Sequence, residues 1–266
     1  MFNNPFSNTK RPKESYLHSS FREGLSRLEY FAKERGIFLL TGDVGTGKTL
    51  LAIEFIDKLS LNHFKPIYIQ VMIAPKGPFG AILFEALRAF GEEGERYLTR
   101  AMVKVREAVL RLYEREGKAS ILVLDEAQNL DGMSLKNLKY LFGADSFNPL
   151  GIILIGQPTL KSALSLRVNE DINQRINYRY HLGGLDKSGV KEYIEFRLKE
   201  AGIEHPIFAD DALEGIYYLS RGIPRLVNQI AHLCLVGMEA ENKKICDLSV
   251  YEKVKKELES SGAIHL

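Results

Sequence analysis

Cysteine is scarce in this chain: Cys234 and Cys246 are the two thiols in 266 residues. Neither lies near a cluster with metal-ligand spacing, which speaks against a disulfide framework and points to a reduced, cytosolic setting with inert thiols. Long hydrophobic runs are also missing. No stretch approaches the ~18 apolar residues of a membrane span, and the polar N-terminus is unlike a signal peptide, so stable membrane insertion is not expected. There is no excess of one charge: 36 Lys and Arg against 34 Asp and Glu leave a formal net charge of +2. Bulk charge therefore demands no nucleic acid, and any basic surface must be local. Internal repeats and low-complexity tracts are absent. What remains, 45% hydrophobic and 26% charged residues, describes a globular chain long enough for one large domain or a large and a small one.

The most informative stretch is Gly42-Asp43-Val44-Gly45-Thr46-Gly47-Lys48-Thr49, which fits G-x-x-x-x-G-K-[ST] at every fixed position. An apolar run, Ile37 to Leu40, precedes it as an expected buried strand, and a helical pattern, Leu50 to Leu59, follows. Strand, Gly-rich loop and helix are the context in which backbone N–H groups cradle phosphate oxygens at a helix N-terminus. Gly42, Val44, Gly45, Thr46, Gly47, Lys48, Thr49 and Leu50 are thus candidate nucleotide-binding residues. Lys48 is placed to reach the β- and γ-phosphates, and the Thr49 hydroxyl to ligate Mg²⁺.

A second apolar run, Ile121 to Leu124, ends in Asp125 and Glu126. In an open parallel sheet the ligand lies beyond the carboxyl ends of the strands. Asp125 is then placed to hold Mg²⁺, directly or through water, opposite Thr49, and Glu126 to orient the attacking water. Further strands are expected at Ile67–Val71, Ile152–Ile155 and around Tyr178–Leu182, with Gln157 just past the tip of the fourth. Its amide either contacts the γ-phosphate or the water, or merely caps the turn before Pro158. Strands alternate with helices, so the fold class is α/β with a mainly parallel sheet and helices on both faces.

Residues 1–19 read as an extended arm, 20–182 as the α/β domain and 183–266 as a small all-helical domain, with Gly183-Gly184 as the hinge. Ser20 with Glu23, and Ser249 with Glu252, have capping-box spacing. A helix expected over 96–116 carries Arg96, Arg100 and Lys104 opposite its apolar stripe, and Lys76 sits in a Pro- and Gly-bounded loop after the second strand. A solvated basic face and a DNA-facing surface are both open for these residues.

Together these motifs resemble an AAA+ ATPase, and more narrowly the ExeA-type branch. The resemblance is carried by Asn4-Pro5-Phe6, TGDVGTGKT at 41–49, LDEAQNL at 124–130, GQPTL at 156–160, QRI at 174–176, YHLGGL at 180–185 and GIPRLVNQI at 222–230. It covers nearly the whole chain with the motifs in the right order. The resemblance implies a five-stranded sheet and a helical lid. It also implies ATP and Mg²⁺ as ligands, and ATP hydrolysis at the subunit interfaces of a homo-oligomer, ring or filament. It makes Lys48 and Thr49 Walker A residues, Asp125 and Glu126 Walker B, Gln157 sensor 1, Arg175 the arginine finger and Arg225 sensor 2. Arg179 competes with Arg175 for the finger position. A cation at a helix N-terminus is electrostatically misplaced, which for Arg225 favours a nearby phosphate.

Founding members of the branch resemble secretion-pathway proteins with a membrane segment and a peptidoglycan-binding part after the ATPase. This chain ends at Leu266 with neither. Short relatives are similar to the regulator ATPases of Mu-type transposition, which implies duplex DNA and a transposase as partners; a secretion-pathway ATPase is the alternative. Whichever partner applies, Lys48→Ala is expected to abolish ATP binding in equilibrium dialysis. Binding as tight as wild type would remove Lys48 from the site.

Overall fold

The computed structural model describes residues 4–7, 15–73, 77–142 and 148–262. Five strands, β1 (Gly36–Thr41), β2 (Phe64–Gln70), β3 (Ala119–Asp125), β4 (Leu150–Gly156) and β5 (Ile176–His181), form one sheet in the order β2-β3-β4-β1-β5. Every pairing is parallel. Of the three inner strands, β3 and β4 are buried at every residue and β1 at every residue after Gly36, which is why they read as unbroken apolar runs. The edge strands β2 and β5 mix buried and accessible positions. Pro66 lies inside β2 rather than before it; an edge strand tolerates a residue with no N–H on its unpaired side.

Side chains leave the sheet alternately and build two cores. Ile37, Leu39, Ile67, Ile69, Leu122, Leu124, Ile152 and Leu154 face one layer, packed by α3 (Phe79–Ala89), α4 (Leu98–Glu116), α5 (Gly132–Leu138) and α6 (Pro158–Leu164). Phe38, Leu40, Ile121, Val123, Ile153 and Ile155 face the other, packed by α1 (Ser19–Glu34) and α2 (Lys48–Lys58). The period of two along each strand thus puts helices on both faces. A short helix, α7 (Glu170–Asn173), adds Ile172 to the first core and leads into β5.

Residues 20–43 and 48–182 make one compact unit; the second gathers the described residues up to Ser19, Val44–Gly47 and residues from Gly183 onward. In the second unit α8 (Lys187–Glu200), α9 (Asp210–Ser220), α10 (Pro224–Ala240) and α11 (Leu248–Ser260) enclose a core that includes Val190, Ile216, Val227, Ile230 and Val254. Phe6, from the N-terminal stretch, is buried in it, edge-on to Phe208 at 6.1 Å. Ser7 accepts from Arg197 Nη2 at 3.1 Å, and the Tyr16 hydroxyl donates to Glu192 at 2.8 Å. No described helix is long and apolar enough to cross a membrane.

Two capping expectations are corrected. The α11 cap is Asp247, whose Oδ1 accepts from Val250 N–H at 3.1 Å; Ser249 donates to that same oxygen instead of capping. Helix α1 begins at Ser19, and Glu23 is taken by Arg27 at 2.6 Å, one turn on. Gly184, of the pair expected as a hinge, lies in a close backbone contact. A Cβ on Gly184 would come 2.8 Å from the carbonyl oxygen of Arg221, and one on Gly222, at φ +71°, would come 1.9 Å from that of Leu185. Leu185 N–H donates to Gly222 at 2.8 Å, so two backbone segments touch where side chains cannot fit. Gly222→Ala is therefore expected to destabilise the helical unit by about 3 kcal/mol or more, read by urea denaturation followed by circular dichroism. An unchanged midpoint would contradict the close approach.

Candidate active site

The sheet order sets β1 and β3 on either side of β4, so the segments that follow these three strands converge at one edge. After β1 the chain turns with Gly45 at φ +88° and Gly47 at φ +97°, conformations that suit glycine. Helix α2 then starts at Lys48, leaving its first N–H groups without intrahelical partners. The Lys48 ammonium reaches back over this turn and donates to the carbonyls of Gly42 at 2.9 Å and Asp43 at 2.8 Å. Val44 is exposed at the tip and Thr46 is buried.

Asp125 ends β3 with 3% of its surface exposed. A carboxylate so far from water needs donors, and it has three. Oδ2 accepts from the Thr49 hydroxyl at 2.6 Å and from the Tyr68 hydroxyl at 2.7 Å; Oδ1 accepts from Glu126 N–H at 2.8 Å. Burial first, then the Asp125 hydrogen bond, pushes the Tyr68 hydroxyl well above its ordinary pKa, so it remains a donor at neutral pH. Glu126 follows in the left-handed region, φ 57° and ψ 36°. That strain is held by neighbours: Asn129 N–H donates to the Glu126 carbonyl at 3.0 Å, and the Gln128 amide donates to the Glu126 carboxylate. The other end of Gln128 accepts from Gln157 N–H at 3.1 Å, tying the end of β3 to the tip of β4.

Gln157 is the N-terminal flanking residue of α6, with Pro158 next, but its side chain makes no capping bond. Arg175 lies exposed between α7 and β5, its N–H bonded to Ile172 at 3.1 Å. Arg179, on β5, is engaged: its Nη2 donates to the carbonyl and the side-chain oxygen of Asn173, both at 2.8 Å. Arg225 sits in the first turn of α10, and its N–H points to the Gly45 carbonyl at 3.3 Å.

The donors present suit the ligands that the motifs imply. Thr49 Oγ1 and Asp125 Oδ2 are hard oxygens 2.6 Å apart. Oxygens of these two kinds are what Mg²⁺ takes as ligands. Among the described residues there is no cluster of three or more His, Cys, Asp or Glu for a metal. Mg²⁺ needs none, because it is commonly held by one or two carboxylates together with phosphates.

The basic residues proposed for DNA are less uniform. Lys76 lies outside the described residues. Arg96 is not on the helix, because α4 starts at Leu98 after an extended Tyr97 whose N–H is held by Glu95 at 3.0 Å. Arg100 lies over the Tyr97 ring at 5.1 Å, and Lys104 is 3.9 Å from Glu95. Farther along the helix Arg111 meets both Glu92 and Glu107.

Sequence reasoning did not single out Tyr68 or Gln128. Gln128 stands inside the quoted LDEAQNL run, so its position was visible although its bridge was not. Tyr68 depends on the pairing that puts Gln70 opposite Asp125, a register no local pattern contains.

The AAA domain family matches residues 32–164, half of the chain. The General secretion pathway protein A of Aeromonas hydrophila is 33% identical over 236 residues, 88% of this chain and 43% of that protein. The chain thus spans less than half the length of this relative. The ORC2 protein of Aeropyrum pernix, in its ADPNP-ADP complexes, has TM-score 0.67 at 18% identity, covering 96% of this chain and 71% of that one. The ORC1 protein of Aeropyrum pernix in complex with DNA has TM-score 0.65 at 16% identity, covering 96% and 68%. At these identities the two structures share a fold with this chain.

Proposed function

This chain belongs to the AAA family of ATPases, and from that premise we propose that it is a Mg²⁺-dependent ATPase whose sites are completed by a neighbouring copy. The observation that carries the reading is the 2.6 Å contact between Thr49, at the start of α2, and Asp125, at the end of β3. It joins the two motifs that phosphoryl transfer needs side by side. Backbone N–H groups from Gly42 to Leu50 bind the phosphates, and Lys48 leaves its two carbonyl partners for the β- and γ-phosphate oxygens. Thr49 Oγ1 would hold Mg²⁺, and Asp125 would hold it directly or through water. When bound, the ion offsets the negative charge of the phosphate oxygens.

Glu126 orients a water for attack on the γ-phosphorus and takes its proton as the bond to the β–γ bridging oxygen breaks, releasing ADP and phosphate. Gln157 contacts the water or the γ-phosphate from the tip of β4, and Arg225 supplies a cation to the phosphates. Arg175 is favoured over Arg179 as the finger, because it is exposed while Arg179 is spent on Asn173. A guanidinium donated by the next subunit stabilises charge in the transition state, so hydrolysis follows assembly into a ring or filament.

For the partner, the 33% identity to a protein named for general secretion supports service to a secretion pathway from the cytoplasm, where ATP is at hand. The second reading, a transposition regulator that assembles on duplex DNA and engages a transposase, is favoured by the exposed Arg96 and Arg100 and by fold likeness to an ORC1 protein in complex with DNA. A gel-shift titration with duplex DNA, with and without a non-hydrolysable ATP analogue, separates the two. Analogue-dependent retardation that fades steeply with salt supports transposition, and its absence at low salt supports secretion.

The chemistry is tested first. Glu126→Gln is expected to retain ATP and lose about 10²-fold or more in turnover. Undiminished hydrolysis would displace Glu126 from its role. Arg175→Ala should bind ATP nearly normally and hydrolyse it poorly, and mixing it with Lys48→Ala should restore part of the rate. Full activity from a strictly monomeric protein would overturn completion in trans.

A further inference from the structure

Tyr68 has no part in the chemistry above, yet its hydroxyl rests on the carboxylate at the centre of it. The residue is on the edge strand β2 and is 41% exposed, so its ring is not needed to fill a core. Its hydroxyl nevertheless turns away from solvent to Asp125 Oδ2 at 2.7 Å. Three donors hold this carboxylate, and they are not equivalent. The Glu126 N–H fixes Oδ1, while Thr49 and Tyr68 share Oδ2. Thr49 has a second duty, since its oxygen lone pair is the one offered to the metal. Tyr68 has none. Without that phenol, Oδ2 keeps Thr49 as its one side-chain donor, and the carboxylate is held by two donors instead of three.

We propose that Tyr68, given the Mg²⁺-ATPase reading on which this rests, is a positioning residue that locks the Asp125 carboxylate for the metal. It does so from a neighbouring strand and touches neither metal nor nucleotide. Groups that orient a metal-binding carboxylate from outside the coordination shell typically change metal affinity or activity by about 10- to 100-fold when removed. Tyr68 therefore contributes to the coupling between Mg²⁺ and nucleotide, and not to nucleotide binding in the absence of metal.

Tyr68→Phe removes one oxygen and keeps the ring. The measurement is the dissociation constant of a labelled non-hydrolysable ATP analogue by fluorescence anisotropy, in EDTA and in saturating Mg²⁺, for wild type and Tyr68→Phe. In EDTA the two proteins are expected to agree within about 2-fold; in Mg²⁺ the wild type should tighten and Tyr68→Phe should tighten about 10-fold less. In the hydrolysis assay, turnover of Tyr68→Phe at limiting Mg²⁺ should fall and be recovered by excess Mg²⁺. Equal tightening of both proteins overturns the role of Tyr68 and leaves the ATPase reading standing. An equal loss of affinity by Tyr68→Phe in EDTA and in Mg²⁺ also overturns it, because the hydroxyl would then serve the fold alone. A wild type that binds the analogue but does not tighten with Mg²⁺ overturns the metal reading itself, and this proposal with it.

Discussion

The buried Asp125 carboxylate sets the terms for the α/β unit. A charge withdrawn from water costs several kcal/mol unless hydrogen-bond donors replace its hydration. Here the donors come from three separate places: the start of α2, the middle of β2 and the peptide after β3. The Thr49 and Tyr68 donors arrive only if β2 pairs with β3 in register and the chain after β1 returns across β4. The same arrangement that satisfies the carboxylate places a hydroxyl, a carboxylate and a Gly-rich turn at one edge of the sheet. Satisfying a buried charge and bringing these groups together are, in this fold, one geometric condition.

Around that centre the chain accepts local strain and holds it with hydrogen bonds. Glu126 occupies a left-handed conformation that costs about 1 kcal/mol or more for a residue with a side chain. Gln128 answers by spanning from the Glu126 carboxylate to the backbone of Gln157. The carboxylate read as the water-orienting group is thus linked to the residue read as its sensor. The helical unit uses a different device, direct backbone contact. Leu185 and Gly222 meet so closely that a single methyl group would not fit. Surface charge is organised locally as well: Glu95, Glu92 and Glu107 lie beside Lys104 and Arg111, so the basic side of α4 is partly balanced by acids.

Much of the fold was legible in the sequence because its signals are local. Inner strands buried on both faces must be continuously apolar, and Ile121–Leu124 and Ile152–Ile155 are. The Gly-rich turn announces itself because only glycine adopts φ near +90° freely, as Gly45 and Gly47 do. Where two local signals competed, the sequence was less reliable. Ser249 has capping-box spacing, yet the Asp247 carboxylate two residues earlier took the N–H. Arg96 matched a helical stripe, yet Glu95 holds Tyr97 extended and delays the helix to Leu98.

The sequence by itself therefore determined the α/β class, the strands, the Gly-rich turn and the acidic end of β3, each a property of a few consecutive residues. Only the tertiary structure decided which groups meet. It set Tyr68 on Asp125, bridged Glu126 to the tip of β4 through Gln128, engaged Arg179 with Asn173 while leaving Arg175 exposed, and buried Phe6 among helices some two hundred residues away in the chain. For Tyr68 with Asp125, Gln128 with Gln157 and Phe6, the physical reason is that the contact depends on strand register or on packing between distant segments. Hydrophobic period and residue type specify which face a side chain takes, but not which partner waits there.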